Sequence, residues 1–331
     1  MILNRSNAVA FFKGPSRRIL LVGDNHGVEC EKDGPFGPIQ WMMKQIRNAE
    51  TRGMCLDIFL ERQKNETDKL HEVLPVKSDL NAVCDVLDML KTDEKSIRVH
   101  KIDARYVFDP VNDLIVYPFI PLYFENCNIG AAPESHFGED AFMLWESYFK
   151  FLIGFPMSPI NRGNALRVIA TQFEYASTIM DEKSQSEVEA VFKSSHSVYL
   201  INVRDLLQRP AGKMTPAMIN QIVKALAEVY ASFDYRGLSL LFLCAPMDLY
   251  LLLRLHQRFQ IEKMPRGPVD CRDERYSEVV NAIVHTGGAH TVHIKEALAR
   301  LGTFGNLMYS VQNFEGNVVT LLPDMEDVFV S

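Results

Sequence analysis

The stretch Val279-Val280-Asn281-Ala282-Ile283-Val284-His285-Thr286-Gly287-Gly288-Ala289-His290 is an apolar run that ends in a glycine turn and then presents a histidine. Near the other end of the chain, Ile19-Leu20-Leu21-Val22-Gly23-Asp24-Asn25-His26 repeats the arrangement. Each reads as a buried strand of a parallel sheet, because a strand covered on both faces loses its polar alternation. Open α/β sheets build their sites at the carboxyl ends of such strands. If both strands lie in one sheet, the two Gly-x-x-His motifs face one pocket.

Working outward, the first hundred residues alternate strand and helix: Arg18 to Val22, Pro38 to Ala49, Met54 to Leu60, Asp79 to Leu90 and Ile97 to Ile102. That alternation predicts βαβ units. A Gly- and Pro-rich loop, Lys32 to Pro38, follows the first motif and suits a lid. From Tyr106 to Arg236 the alternation gives way to an aromatic segment and helical patterns near Glu139 to Leu152, Arg162 to Ile179 and Pro216 to Phe233. It resumes with a strand at Leu238 to Cys244, a turn at Ala245-Pro246 and a helix from Met247 to about Phe259. A helix at Lys295 to Leu301 follows, then strands Leu307 to Gln312 and Asn317 to Leu322, joined by Phe314-Glu315-Gly316 as a hairpin. The expected fold is a mixed, mainly parallel α/β sheet flanked by helices, with a mostly helical insertion and an antiparallel C-terminal hairpin. Its parts are 1–105, 106–236 and 237–331.

The 331 residues are 47% hydrophobic, enough for a full core, and carry a formal charge of −7. That balance, without clustered Lys and Arg, argues against a general nucleic-acid binder. The six cysteines form no C-x-x-C pair, so they are expected mostly reduced, and no secretory h-region precedes a cleavage site. A cytoplasmic setting follows. The most apolar stretch, Gly237 to Leu253, holds Asp248 near its middle and is read as core instead of a membrane span.

Candidate chemistry gathers at the predicted strand ends. Asp24 and His26 follow the first strand, and His290, with His293 three residues on, follows the last. In Met54-Cys55-Leu56-Asp57-Ile58-Phe59-Leu60-Glu61, period 2 places Asp57 and Glu61 on one side, with Glu61 at the carboxyl end. A carboxylate within an apolar strand is costly unless paired or metal-bound, so Asp57 is either a buried salt bridge or a site residue. Asp103 and Arg105 close the third strand, where Arg105 can pair with Glu61 or grip a carbonyl oxygen. Asp248 reads as an N-cap of the helix after it. Two imidazoles with one or two carboxylates suit a divalent transition metal (Mn, Co or Zn), held by His26, His290, Asp24 and Glu61. They equally suit a metal-free site in which a histidine or Glu61 takes a proton from water. Both uses lead to hydrolysis. The chain has no G-x-S-x-G elbow, no Walker-type loop and no strand-linked G-x-G-x-x-G.

The paired Gly-x-x-His motifs, with Glu61 and Asp103-Ala104-Arg105, resemble the Tiki/TraB superfamily, which is similar in arrangement to erythromycin esterases and ChaN-like haem-binding proteins. The resemblance spans about residues 18–62, 97–105 and 279–293. It implies an α/β core split by a helical insertion, with His26, His290 and Glu61 in the site and Asp24 where a glutamate is common. It also implies cleavage of an ester or amide in a small molecule or peptide, with metal dependence in the Tiki branch. Asp57-Ile58-Phe59-Leu60-Glu61, Ile102-Asp103-Ala104-Arg105 and Met247-Asp248-Leu249-Tyr250 further resemble segments of proteins of large double-stranded DNA viruses. A virion component that keeps the fold without catalysis, with virion partners or a second copy of itself, is therefore the alternative. Aromatics at Tyr117 to Phe124 and Phe142 to Phe155 would then form an interface. A lesser alternative rests on Gly23-Asp24-Asn25-His26-Gly27, which resembles the opening motif of metallophosphoesterases, although the two further motifs that hold their second metal do not occur.

Overall fold

The computed structural model describes residues 2–4, 6–24, 38–63, 96–103, 140–178, 203–232, 241–261, 269–312 and 318–320. The chain divides into two compact units, Met1–Ile102 with Leu255–Ser331, and Asp103–Arg254.

In the first unit the strands are β1 (Ile2–Asn4), β2 (Ser6–Lys13), β3 (Arg18–Asp24), β4 (Leu56–Gln63), β5 (Ile97–Asp103), β6 (Asn281–Gly287), β7 (Asn306–Gln312) and β8 (Val318–Thr320). Six of them form one mixed, mostly parallel sheet in the order β5-β4-β6-β3-β2-β7. The two motif-bearing strands are neighbours: β3 pairs β6 in parallel from Arg18 opposite Asn281 to Asp24 opposite Gly287. On the other side of β6, β4 pairs in parallel from Asp57 opposite Ala282 to Leu60 opposite His285. The antiparallel strands that close the chain each find a partner among the opening strands, β7 on β2 and β8 on β1. Phe314 to Gly316 lie outside the described residues.

Strand β6 is buried at every position, which is why Ala282-Ile283-Val284 at its centre run apolar without alternation. One face of the sheet carries Val9, Phe11, Leu20, Val22, Leu56, Ile58, Leu60 and Ile283 against Trp41, Ile46 and Ala49 of α1 (Pro38–Thr51). Strand β2, built on the apolar run Ala8 to Phe12, was not foreseen. It extends the sheet by pairing antiparallel with β3, and Phe12 is fully buried.

The second unit is helical where it is described. It holds α2 (Ala141–Ile153), α3 (Pro159–Thr178), a helix α4 over 203–211, α5 (Pro216–Ser232) and most of α6 (Leu241–His256). The aromatics of α2 are core here: Trp145, Tyr148 and Phe149 are buried, and Trp145 and Phe149 contact Tyr230 at centroid separations of 4.8 and 5.4 Å. These side chains are therefore not available to the interface expected of them, while Tyr117 to Phe124 lie outside the described residues. A final helix, α7 (Gly288–Leu301), returns to the first unit.

Two sequence expectations need correction. Leu241 to Cys244, expected as the end of a strand, and the expected helix from Met247 to Phe259 give way to the single helix α6 (Leu241–His256), which keeps Pro246 inside it, while Leu238 to Leu240 lie outside the described residues. Proline costs one helical hydrogen bond, but burial of Met247, Leu249, Leu251, Leu252, Leu253 and Leu255 along a run longer than ordinary strands outweighs that loss. Helix α7 likewise starts at Gly288, seven residues before the expected Lys295, so the second motif opens the helix. Among the described residues no helix is long and apolar enough to cross a membrane.

Candidate active site

Alternation along β4 sends Leu56, Ile58 and Leu60 into the α1-facing core and leaves Asp57, Phe59 and Glu61 for the opposite face. Asp57 is fully buried and belongs to an ion-paired cluster. Arg98 of β5 donates from Nε and Nη2 to the two carboxylate oxygens, both at 2.7 Å, and His100 Nε2 donates to Oδ1 at 2.7 Å. Burial alone would raise the Asp57 pKa, yet the His100 hydrogen bond and the Arg98 charge outweigh it and hold it below the usual carboxylate value. His100 stacks on Phe59 at 4.3 Å and on Phe259 at 5.5 Å, and the Arg98 guanidinium lies 4.2 Å over the Phe259 ring. The last donor of Arg98, Nη1, reaches the Tyr276 carbonyl at 2.7 Å. Of the two readings open for Asp57, the geometry gives the buried salt bridge.

Glu61 serves differently. Gly287 N–H, at the N-cap of α7, donates to its Oε2 at 2.6 Å, so a strand carboxylate occupies the positive end of a helix. Its other oxygen, Oε1, lies 3.9 Å from Nε2 of His290 in the first turn of that helix. Both side chains are buried, at 2% and 8% exposure, so the pair is largely shielded from bulk water. The strand-to-helix turn is braced from inside: Thr286 Oγ1 donates to the Gly287 carbonyl at 3.3 Å and shares a 2.9 Å hydrogen bond with Thr291 Oγ1.

Of the residues singled out in the sequence, Glu61 and His290 are thus brought together. Asp24 is placed by its backbone opposite Gly287, at the same end of the sheet. His26 and Arg105 lie outside the described residues, and so does the Lys32 to Gly37 loop. Asp103 ends β5. His285 sits opposite Val22 and Leu60, both of the α1-facing core, so it is on the other face from Glu61. His293 is buried in α7. Asp248 is no N-cap: it lies in the interior of α6 and accepts a 2.7 Å hydrogen bond from Tyr230 Oη.

Arg98 and His100 were not recognised as partners of Asp57. The signal was present in the spacing, since period 2 along Ile97-Arg98-Val99-His100 alternates apolar and cationic side chains beside a strand with a buried acid. The cysteines also depart from expectation, because Cys55, directly before β4, is disulfide-bonded to Cys271. Spacing carried no hint of it, the two being 216 residues apart.

As a metal centre the described residues offer two donors, Glu61 and His290, and no group of three His, Cys, Asp or Glu occurs among them. Catalytic zinc-type centres use three protein ligands, so the described pair alone does not fit one and no step is routed through a metal. Comparison of the chain with protein-family models, with curated proteins and with solved structures finds no match.

Proposed function

We propose that this chain is a hydrolase of the Tiki/TraB and erythromycin-esterase type, cleaving an ester or amide with water activated between Glu61 and His290. The observation that carries the reading is the 3.9 Å approach of Glu61 Oε1 and His290 Nε2 at the carboxyl ends of β4 and β6, beside the end of β3. Two atoms at that spacing can both lie within hydrogen-bond distance of one water. Glu61 Oε1 takes the water proton as the oxygen attacks the carbonyl carbon, and His290 Nε2 delivers a proton to the departing oxygen or nitrogen. The Gly287 N–H and the start of α7 hold the Glu61 carboxylate in place. Asp24, His26 and Arg105 join the proposal on sequence grounds, Asp24 orienting His26 and Arg105 polarising the carbonyl. A Mn, Co or Zn ion would need Asp24 and His26 beside Glu61 and His290 and is read by the metal analysis below, while the cytoplasmic setting belongs to the same proposal and is tested by cell fractionation.

The test is metal analysis by mass spectrometry with a broad ester and peptide panel, on the wild type and on His290→Ala. A loss of about 100-fold or more in kcat/KM is expected for the variant, the usual scale of a lost acid–base group. No activity difference together with no metal would overturn the proposal.

A second reading has its own observation. The 2.6 Å bond from Gly287 N–H to Glu61 is what a purely structural helix cap would show. In that case the protein is a non-catalytic interaction or virion component, and a stable copurifying partner retained by His290→Ala would favour it.

A further inference from the structure

We propose that residues 269–277 form a strap fastened beside the Asp57 cluster by a redox-responsive clasp, the Cys55–Cys271 disulfide. The strap consists of two single 3-10 turns, Val269–Arg272 and Glu274–Tyr276, which lead into β6. Three fasteners hold it, two to β4 and β5 of the sheet and one to the segment that follows α6. Cys271 is covalently bonded to Cys55, directly before β4, and both cysteines pack with Tyr276 and Val280. The Tyr276 carbonyl accepts from Arg98 Nη1, and the Ser277 carbonyl accepts from the N–H of Phe259, the ring that covers Arg98 and His100. One fastener is thus chemically reversible, while the others draw on Arg98, whose guanidinium is held against the Phe259 ring, and on the backbone N–H of Phe259.

Reduction proceeds by thiolate attack on one sulfur, a mixed disulfide, and displacement by the second thiol of the attacking dithiol. The protein gains two electrons and two protons as Cys55 and Cys271 thiols, and the dithiol leaves as its own disulfide. Cys55 and Cys271 are both 0% exposed, so a thiolate has no line of attack until the strap lifts. Opening therefore gates reduction, and the bond equally has to form before the strap seats. Once reduced, the strap is held by Arg98 and Phe259 alone and opens more often. It then loosens the Tyr276 carbonyl from Arg98, the partner of Asp57, which lies on the same strand and the same face as Glu61. The thiol–disulfide poise of the surroundings is in this way transmitted to β4.

The experiment exposes the native full chain to rising dithiothreitol, quenches by alkylation, and follows the Cys55–Cys271 linked peptide by mass spectrometry, with amide hydrogen exchange read in parallel. The expected rate of bond loss levels off at high dithiothreitol, and Phe259→Ala raises that plateau about tenfold or more. Reduction is expected to speed exchange in 269–277 while 281–287 stays protected. Cys271→Ala, oxidant or reductant present, should match the exchange of the reduced wild type, which keeps the test open if Phe259→Ala fails to fold. A rate that stays linear in dithiothreitol, unchanged exchange in 269–277 after reduction, or both cysteines recovered as free thiols would each overturn the clasp. None of these readings depends on hydrolysis.

Discussion

Asp24, the last residue of β3, stands directly opposite Gly287, the last residue of β6, at the end of a parallel register that begins at Arg18 and Asn281. Residues from opposite ends of the sequence thereby reach the same edge of the sheet in step. The Glu61 carboxylate arrives there from the third parallel strand and closes on Gly287 N–H. The strand-end geometry that open α/β sheets use for chemistry is therefore assembled by pairing register alone.

Glu61 separates the catalytic from the capping reading. Glu61→Gln keeps a carbonyl oxygen for Gly287 N–H, so it should lower stability by no more than about 1 kcal/mol, whereas Glu61→Ala should cost about 1–3 kcal/mol for the orphaned donor. Activity should fall about 100-fold or more in both. Urea unfolding beside kinetics checks this, and a fully active Glu61→Gln would remove the base from the mechanism.

The Asp57–Arg98 pair should be expensive to break and cheap to replace. Asp57→Ala leaves a buried guanidinium without its counter-charge and is expected to cost about 3–5 kcal/mol. Asp57→Leu combined with Arg98→Met removes both charges and should recover at least about 2 kcal/mol of that. Denaturant midpoints of the single and double variants decide the point, and simple additivity of two large losses would refute it.

Acid should weaken the fold through Asp57. Its folded pKa is depressed, because the His100 hydrogen bond and the Arg98 charge outweigh burial, while the unfolded carboxyl titrates near about 3.9. On acidification the unfolded chain takes up this proton first, so the contribution is complete above that value and is lost as pH falls through the folded one. The stability gap between wild type and Asp57→Asn should accordingly narrow as pH is taken below about 4. A gap that stays constant across the acid range would show that Asp57 does not supply the dependence.

Gly305 permits a backbone contact that no other residue allows. Its φ is +88°, and an added Cβ would fall 2.3 Å from the Lys13 carbonyl oxygen and 2.4 Å from Gly14 Cα. Gly305→Ala should therefore destabilise by at least about 2 kcal/mol and lower the melting temperature by several degrees. Circular dichroism melts measure it, and an unchanged Tm would contradict the close approach of β2 and β7 at this point.

How far the fold was legible depended on whether local pattern or distant contact decided each element. The apolar runs at Ile19 to Val22 and Val279 to Val284 announced buried parallel strands, and period 2 placed Asp57 and Glu61 on one face. The run at Leu241 to Leu253 misled, because an all-apolar segment has no periodicity to separate strand from helix, and Pro246 suggested a break that packing overrode. The start of α7 was missed because Gly287-Gly288 resembles a turn, whereas here it caps a helix with help from Glu61 on another strand. The Cys55–Cys271 bond arises from tertiary neighbours, which spacing along one chain does not encode, whereas the alternation of Arg98 and His100 along β5 carries a signal that becomes legible only once β5 lies beside β4.

Strand β6 lies between β3 and β4, although more than two hundred residues separate it from either in the chain. A ribosome making this protein therefore finishes β3 and β4 long before the strand that joins them exists. Until Gly287 emerges, each offers an unpaired apolar edge, so the high contact order of this sheet makes slow, late closure and a dependence on holding chaperones the natural expectation for its biogenesis.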